Sequence, residues 1–261
     1  MFPVFLKLGP LTIWWYAIWI VVGLLAAYRL FRKRAERLGL SPQEAFNLIL
    51  LLFWCGVLGA RVYYVVLYWK EEFAGRWLEI LLINHGGLVY FGGLASAVLT
   101  LILWARVKGK SLAALADALA GPLALAHAFG RLGCFMGGCC YGTKCDHFWA
   151  VQLQVPPAVA GIPVHPVQLY ESFGLFYLVV ALMVVEGMAR FPGHVALTYG
   201  LLYSILRFIV EFFRGDVPHD VLGRFTVAQT LCAVLFFTCW LSSARMGYRA
   251  SMAKKRVKLE Q

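Results

Sequence analysis

The chain has 261 residues, of which 61% are hydrophobic and 14% charged. That surface cannot be solvated by a water-soluble domain, but a bundle of membrane-crossing helices requires it. The net charge of +11 raises the question of nucleic acid, which the distribution of the charges has to answer.

Apolar blocks alternate with short polar stretches, and no linker or low-complexity tail separates a second domain, so residues 1–261 read as a single domain. Several blocks approach the roughly 20 apolar residues that a helix needs to cross the hydrocarbon core. In chain order they run Ile13–Leu30, Phe46–Tyr68, Leu88–Trp104, Leu112–Phe129, Val167–Val185, Val195–Phe213 and Phe225–Leu241. A lipid-facing backbone must satisfy its own hydrogen bonds, so the expected fold is all-α, a polytopic bundle of about seven transmembrane helices.

Met1–Pro10 lacks a basic leader region, and the first apolar run leads straight into RKRAER, so the first span is expected to remain as an anchor with its N-terminus outside. Threading seven spans from there places 15 of the 24 Lys and Arg on the cytoplasmic side, in residues 29–37, 106–110, 190 and 245–258, with the C-terminus. Lys7, Lys70, Arg76, Arg131, Lys144, Arg214 and Arg224 fall at or beyond the outer edge, and Arg61 and Arg207 within spans. This is the positive-inside pattern, and it accounts for the basicity without nucleic acid. The periplasmic segments are small, about 70–87 and 134–166.

Charged groups inside an apolar span cost a few kcal/mol and mark function by default. In the sixth span Tyr203, Arg207, Glu211 and Arg214 recur at intervals of four, four and three and so share one helical face. A structural ion pair between Arg207 and Glu211 is one reading. The excess of positive charge also leaves capacity for an anion, and guanidinium grips phosphate through a bidentate fork. The segment Gly130–Gly142, GRLGCFMGGCCYG, leaves the fourth span with five glycines in thirteen residues. Its N–H groups are expected to form an anion-binding nest, headed by Arg131 one turn after His127. Arg61, in the outer half of the second span, serves either as a depth-fixing tether or as a ligand. Asp117 in the fourth span reads as a capping or packing group. Arg61, Arg131, Arg207 and Arg214 all project to the outer half of the membrane, where an anion beside lipid is most simply a phospholipid headgroup.

Six ordered motifs carry a resemblance: WWYAIW with Tyr16, GARVYY, GGLVYFGGL, GRLGCFMGGCCYG, HPVQLYES, and YSILRFIVEFFRGD with its Y-x-x-x-R-x-x-x-E-x-x-R stripe. In these the chain resembles the prolipoprotein diacylglyceryl transferase family of the bacterial cell inner membrane, with Arg131 and Gly142 at positions matching that family's signature loop. The resemblance implies transfer of diacylglyceryl from phosphatidylglycerol to the lipobox cysteine of a preprolipoprotein signal peptide. A thioether forms and glycerol 1-phosphate leaves, at a site facing the outer half of the bilayer.

On that basis Arg131, Arg207, Glu211 and His127 are the expected catalytic residues, with Glu211 orienting Arg207. Tyr16, Arg61, Tyr90, Gly142, Tyr203 and Arg214 are expected to bind substrate. The nucleophile is the substrate's thiol, and no cofactor or metal is required. Two departures from the family pattern stand out: Phe91, preceded by Tyr90, stands where some members have a His, and Cys134 where some members carry an Asn. His127 is then a candidate base, its other reading being a packed or helix-bonding residue, with Tyr16 and Tyr90 as weaker candidates.

Cys134, Cys139, Cys140 and Cys145 match no common zinc spacing, and adjacent Cys rarely bind one ion together, so thiols or one structural disulfide are expected. An anion transporter would show internal repeats, and a thiol redox protein a CxxC pair. Neither occurs in the sequence.

Overall fold

The computed structural model describes residues 3–9, 11–81, 86–154, 156–217 and 225–259. Arg224, counted above at the outer edge, lies outside them. Two strands, β1 (Val4–Leu8) and β2 (Leu11–Trp14), pair antiparallel ahead of the first helix. The first span therefore begins at Trp15 rather than Ile13. The helices are α1 (Trp15–Arg37), α2 (Pro42–Leu67), α3 (Tyr90–Val107), α4 (Leu112–Gly137), α5 (Val167–Gly187), α6 (His194–Glu211) and α7 (Val227–Leu259). A small antiparallel pair, β3 (Val151–Gln152) and β4 (Pro163–Val164), lies between α4 and α5.

Among the described residues, six helices are long and apolar enough to cross a membrane: α1, α2, α3, α4, α5 and α7. The expected sixth span, α6, falls outside that set because it carries Arg207 and Glu211 among its 18 residues. The six helices leave large apolar side chains uncovered, among them Val62 and Val66 on α2 and Phe173, Tyr177 and Val180 on α5, each 60–78% exposed. A face of that kind is stable against lipid and not against water. The chain is a multi-pass membrane protein.

The backbone divides into two compact units, Met1–Phe31 with Ala116–Gln261, and Arg32–Leu115. The passages between them run inside α1 and α4, so no linker signals the division. Lipid is as apolar as leucine, and close backbone approach has to hold such helices together. In the second unit Gly59 on α2 faces Gly92 and Ser96 on α3, and a Cβ on either glycine would overlap the opposite helix. The Ser96 hydroxyl also donates to the Cys55 carbonyl at 2.8 Å. In the first unit Ala120, Ala124 and Ala128, one turn apart on α4, form a core with Leu175, Leu178, Val179 and Leu182 of α5 and Val195 of α6.

Capping fixes the ends that matter. The Asp117 carboxylate on α4 accepts from the Gly193 and Ala196 N–H groups at 2.6 and 2.8 Å and so caps α6, in keeping with the capping reading of that residue. Thr226 and Gln229 form a reciprocal capping box at the start of α7: the Gln229 N–H donates to the Thr226 hydroxyl at 3.2 Å, and the Thr226 N–H donates to the Gln229 side chain at 3.0 Å. We expect Asp117→Ala to destabilise the protein by about 1–2 kcal/mol and Asp117→Asn by less, read as the melting temperature in detergent.

Candidate active site

The GRLGCFMGGCCYG segment is not a loop throughout. Helix α4 continues to Gly137, which corrects the expectation of a glycine nest beginning at Gly130. Gly133 is there for close approach, since a Cβ on it would lie 3.0 Å from the Tyr16 ring and 3.3 Å from the Trp19 Cβ. The helix then ends in a Schellman motif: Gly138 adopts a left-handed φ of +75°, its N–H bonds to the Phe135 carbonyl, and the Cys139 N–H bonds to the Cys134 carbonyl, both at 3.2 Å. Arg131 therefore projects from a regular helix and is held in direction by it.

Its partner is Glu171 on α5, which is 1% exposed. Arg131 Nη2 lies 2.9 Å from Glu171 Oε2 and 3.1 Å from Oε1. Arg207 Nη1 reaches the same carboxylate at 3.6 Å, the Tyr203 hydroxyl donates to it at 3.4 Å, and His127 Nε2 stands 3.5 Å from Oε1. One buried acid thus gathers Arg131 and His127 from α4 and Tyr203 and Arg207 from α6.

A second acid, Glu211, pairs with Arg207 Nη2 at the end of α6, accepts a hydrogen bond from the Thr226 hydroxyl at 2.8 Å, and lies 3.9 Å from Arg214 Nε. Arg214 sits beyond the last residue of α6, so it leaves the expected helical stripe but stays beside Glu211. Asp216 holds its guanidinium with two hydrogen bonds, from Nε at 2.9 Å and Nη2 at 2.7 Å.

This arrangement corrects the charge balance read from α6 alone. Among the described residues of this cluster Arg131, Arg207 and Arg214 face Glu171, Glu211 and Asp216, so their formal charges cancel. What remains is directional. Among the described residues, Arg131 Nε and Arg207 Nη1 are buried and have no hydrogen-bond acceptor. Buried donors left unpaired cost free energy, and a phosphate oxygen would relieve that.

Gly142 is a packing residue: it bridges to Arg214 in an isolated antiparallel pair, and a Cβ there would overlap the His165 carbonyl. Tyr16 lies against Gly133 of α4. Arg61 and Tyr90 belong to the other unit. Arg61 is buried, and four of its hydrogen bonds go to backbone carbonyls, to Ile80 from Nε, to Gly86 and Gly87 from Nη1 and to Glu79 from Nη2. Its guanidinium lies over the rings of Tyr64 and Phe73. Those bonds tie the end of α2 to the backbone at residues 79–80 and 86–87. Tyr90 is 65% exposed, its ring edge-on to Phe91.

Sequence reasoning missed Glu171, Thr226, Asp216 and Gln168. Glu171 is a carboxylate in an apolar span, the same signal that exposed Arg207, but near the start of α5 it also passes for an ordinary N-terminal helix residue. Gln168, 1% exposed, donates to the Cys139 carbonyl at 2.7 Å and ties the end of α4 to α5. All seven cysteines are free thiols. Hydrogen bonds from Cys134 and Cys139, then the Arg131 and Arg214 charges, pull the Cys140 thiol well below the usual range.

The site thus sets buried arginines against shared, buried carboxylates within a multi-pass membrane protein. The family profile of prolipoprotein diacylglyceryl transferase matches residues 3–243, and the chain belongs to that family. It is 35% identical to the phosphatidylglycerol–prolipoprotein diacylglyceryl transferase of Bacillus cereus strain G9842, over 86% of this chain and 84% of the relative. It is 34% identical to that of Bacillus cereus strain B4264, over 87% and 85%. The Bacillus anthracis strain A0248 protein of the same name is 35% identical over 86% and 84%.

We expect Glu171→Ala to cost about 3–5 kcal/mol, because it strands two buried guanidiniums without their shared counter-ion. Thr226→Val, which removes the hydrogen bond to Glu211 and the cap on the Gln229 N–H, should cost about 1–3 kcal/mol. Thermal melts of the purified variants in detergent would show the difference.

Proposed function

We propose that this chain transfers the diacylglyceryl group of phosphatidylglycerol to the lipobox cysteine of a preprolipoprotein, forming a thioether and releasing glycerol 1-phosphate. The observation that carries the reading is the pair of guanidiniums on Glu171, Arg131 and Arg207, each with a buried N–H that lacks an acceptor. The bond that breaks is a phosphate ester, so negative charge accumulates on oxygen as the lipid's glycerol carbon is displaced. Donors fixed in advance, in a medium that screens little, stabilise that charge without reorganising.

Each residue then has a task. Arg131 and Arg207 hold the phosphate and stabilise its departure. Glu171 and Glu211 hold the two forks in place, and Arg214, clamped by Asp216, closes the shell with Tyr203. The acceptor sulfur is the nucleophile, and a thiol needs only modest help to become a thiolate. His127, 3.5 Å from Glu171, is the base candidate among the residues gathered at the site. A cleft of about 550 Å3, lined by Trp149, His165, Tyr170, Phe173 and Phe213, opens beside the residue preceding Arg214 and suits the apolar part of a signal peptide.

In the same reading the protein sits in a bacterial inner membrane, crosses it seven times with α6 as a polar-faced span, and keeps its N-terminus and site toward the outer face. Helix α7, at 33 residues, is about 50 Å long and outruns the hydrocarbon core, which carries its basic C-terminal turns into the cytoplasm.

Purified protein in phosphatidylglycerol vesicles, given a lipobox peptide, should yield the mass of the diacylglyceryl peptide together with glycerol 1-phosphate. Arg131→Ala and Arg207→Ala should each lower the rate by about 100- to 1,000-fold, and Arg207→Lys by less. Wild-type rates in either alanine variant would refute the assignment. A reporter active only in the cytoplasm, fused after Tyr248, should be active. Silence there would reverse the proposed orientation.

A further inference from the structure

The thiols at the end of α4 have no part in the reaction as drawn above. Adjacent cysteines usually point apart, and here the backbone prevents that. The Schellman motif closes Cys139 onto the carbonyl of Cys134, and Cys140 takes a left-handed φ of +58°, rare for a residue with a side chain. The sulfurs of Cys134, Cys139 and Cys140 come within 4.8 Å of one another as a result. Gln168 fixes the backbone between them through the Cys139 carbonyl.

Sulfurs around one tetrahedral zinc ion, each about 2.3 Å from it, stand roughly 3.8 Å apart, so small side-chain rotations suffice. Three protein ligands leave the fourth position open, as catalytic zinc sites do. Three thiolates and a divalent ion carry one net negative charge. Arg131 and Arg214 both act electrostatically on Cys140, and their positive charge offsets it.

We propose that Cys134, Cys139 and Cys140 bind one zinc ion, and that the open position receives the acceptor cysteine's sulfur. This deepens the transferase reading and rests on it. The acceptor thiol gives its proton to water as it binds the ion, which keeps the sulfur nucleophilic and takes over the task given to His127 above. The sulfur then forms a bond to the diacylglyceryl carbon, and that carbon's bond to the phosphate oxygen breaks. The electron pair leaves with glycerol 1-phosphate, beside Arg131 and Arg207. The product thioether is neutral, a weaker ligand than thiolate, and departs.

The full chain, purified in detergent without chelators, should carry about one zinc per molecule by elemental analysis. Cobalt in its place should give strong sulfur-to-cobalt absorption in the near ultraviolet. Cys139→Ser and Cys140→Ser should each lose the metal, whereas Cys232→Ser should keep it. Adding a lipobox peptide should raise the cobalt band by about one third, as three sulfur ligands become four. The same peptide with Ser for Cys should leave the band unchanged.

The wild-type chain suffices to overturn the proposal, whatever the variants do to folding. It falls if that chain takes up no metal, if mass spectrometry before and after reduction shows a disulfide among the three cysteines, or if the peptide thiol leaves the cobalt band unmoved. Full-rate transfer by metal-free protein would sink this inference and leave the transferase reading standing. A metal-loaded protein that modified no peptide would sink the transferase reading instead.

Discussion

The site depends on one interaction, the bridging of Arg131 and Arg207 by the Glu171 carboxylate. Two guanidiniums from different helices would repel each other strongly in a medium of low dielectric constant, and neither could stay charged and buried alone. A single acid between them removes the repulsion and sets the spacing of the two forks. It does so from α5, which shares with their parent helices the core of Ala120, Ala124, Ala128, Leu175, Leu178 and Val195. The core and the charge cluster are thus parts of one seam.

Neutrality has a functional consequence. Each Arg charge in the cluster meets a carboxylate, so the site has no net charge to contribute to the proposed reaction. It offers oriented N–H groups instead, and those act most strongly on charge that develops at a particular place. Glu211 repeats the device one step along, with Thr226 lending the start of α7. Four helices thereby contribute to a cluster whose members could not be held by any one of them.

Much of this was legible in the sequence. The apolar blocks announced the helices, and Arg131, Arg207 and Glu211 were visible as charges that lipid should not hold. Asp117 was rightly kept apart as a capping group. Less was legible where a residue has two ordinary explanations. Glu171 passes for a helix-start acid, Thr226 for a surface threonine, and the strands at Val4–Trp14 for the beginning of the first span, since a short apolar strand and an apolar helix share a composition. The glycine-rich segment misled for a related reason: Gly133 serves helix packing as readily as it serves a loop.

By itself the sequence determined the class, the order of the helices and most of the positive charges, because hydropathy and charge are properties of residues one at a time. Only the tertiary structure decided which carboxylate each arginine meets, that the charges balance, that Arg61 is bound to the backbone of its own unit, and that three cysteines with an unpromising spacing bring their sulfurs together. Those are properties of pairs. They depend on where a helix ends and which neighbour it packs against, and the left-handed turns at Gly138 and Cys140 fix such things with no trace in periodicity or composition.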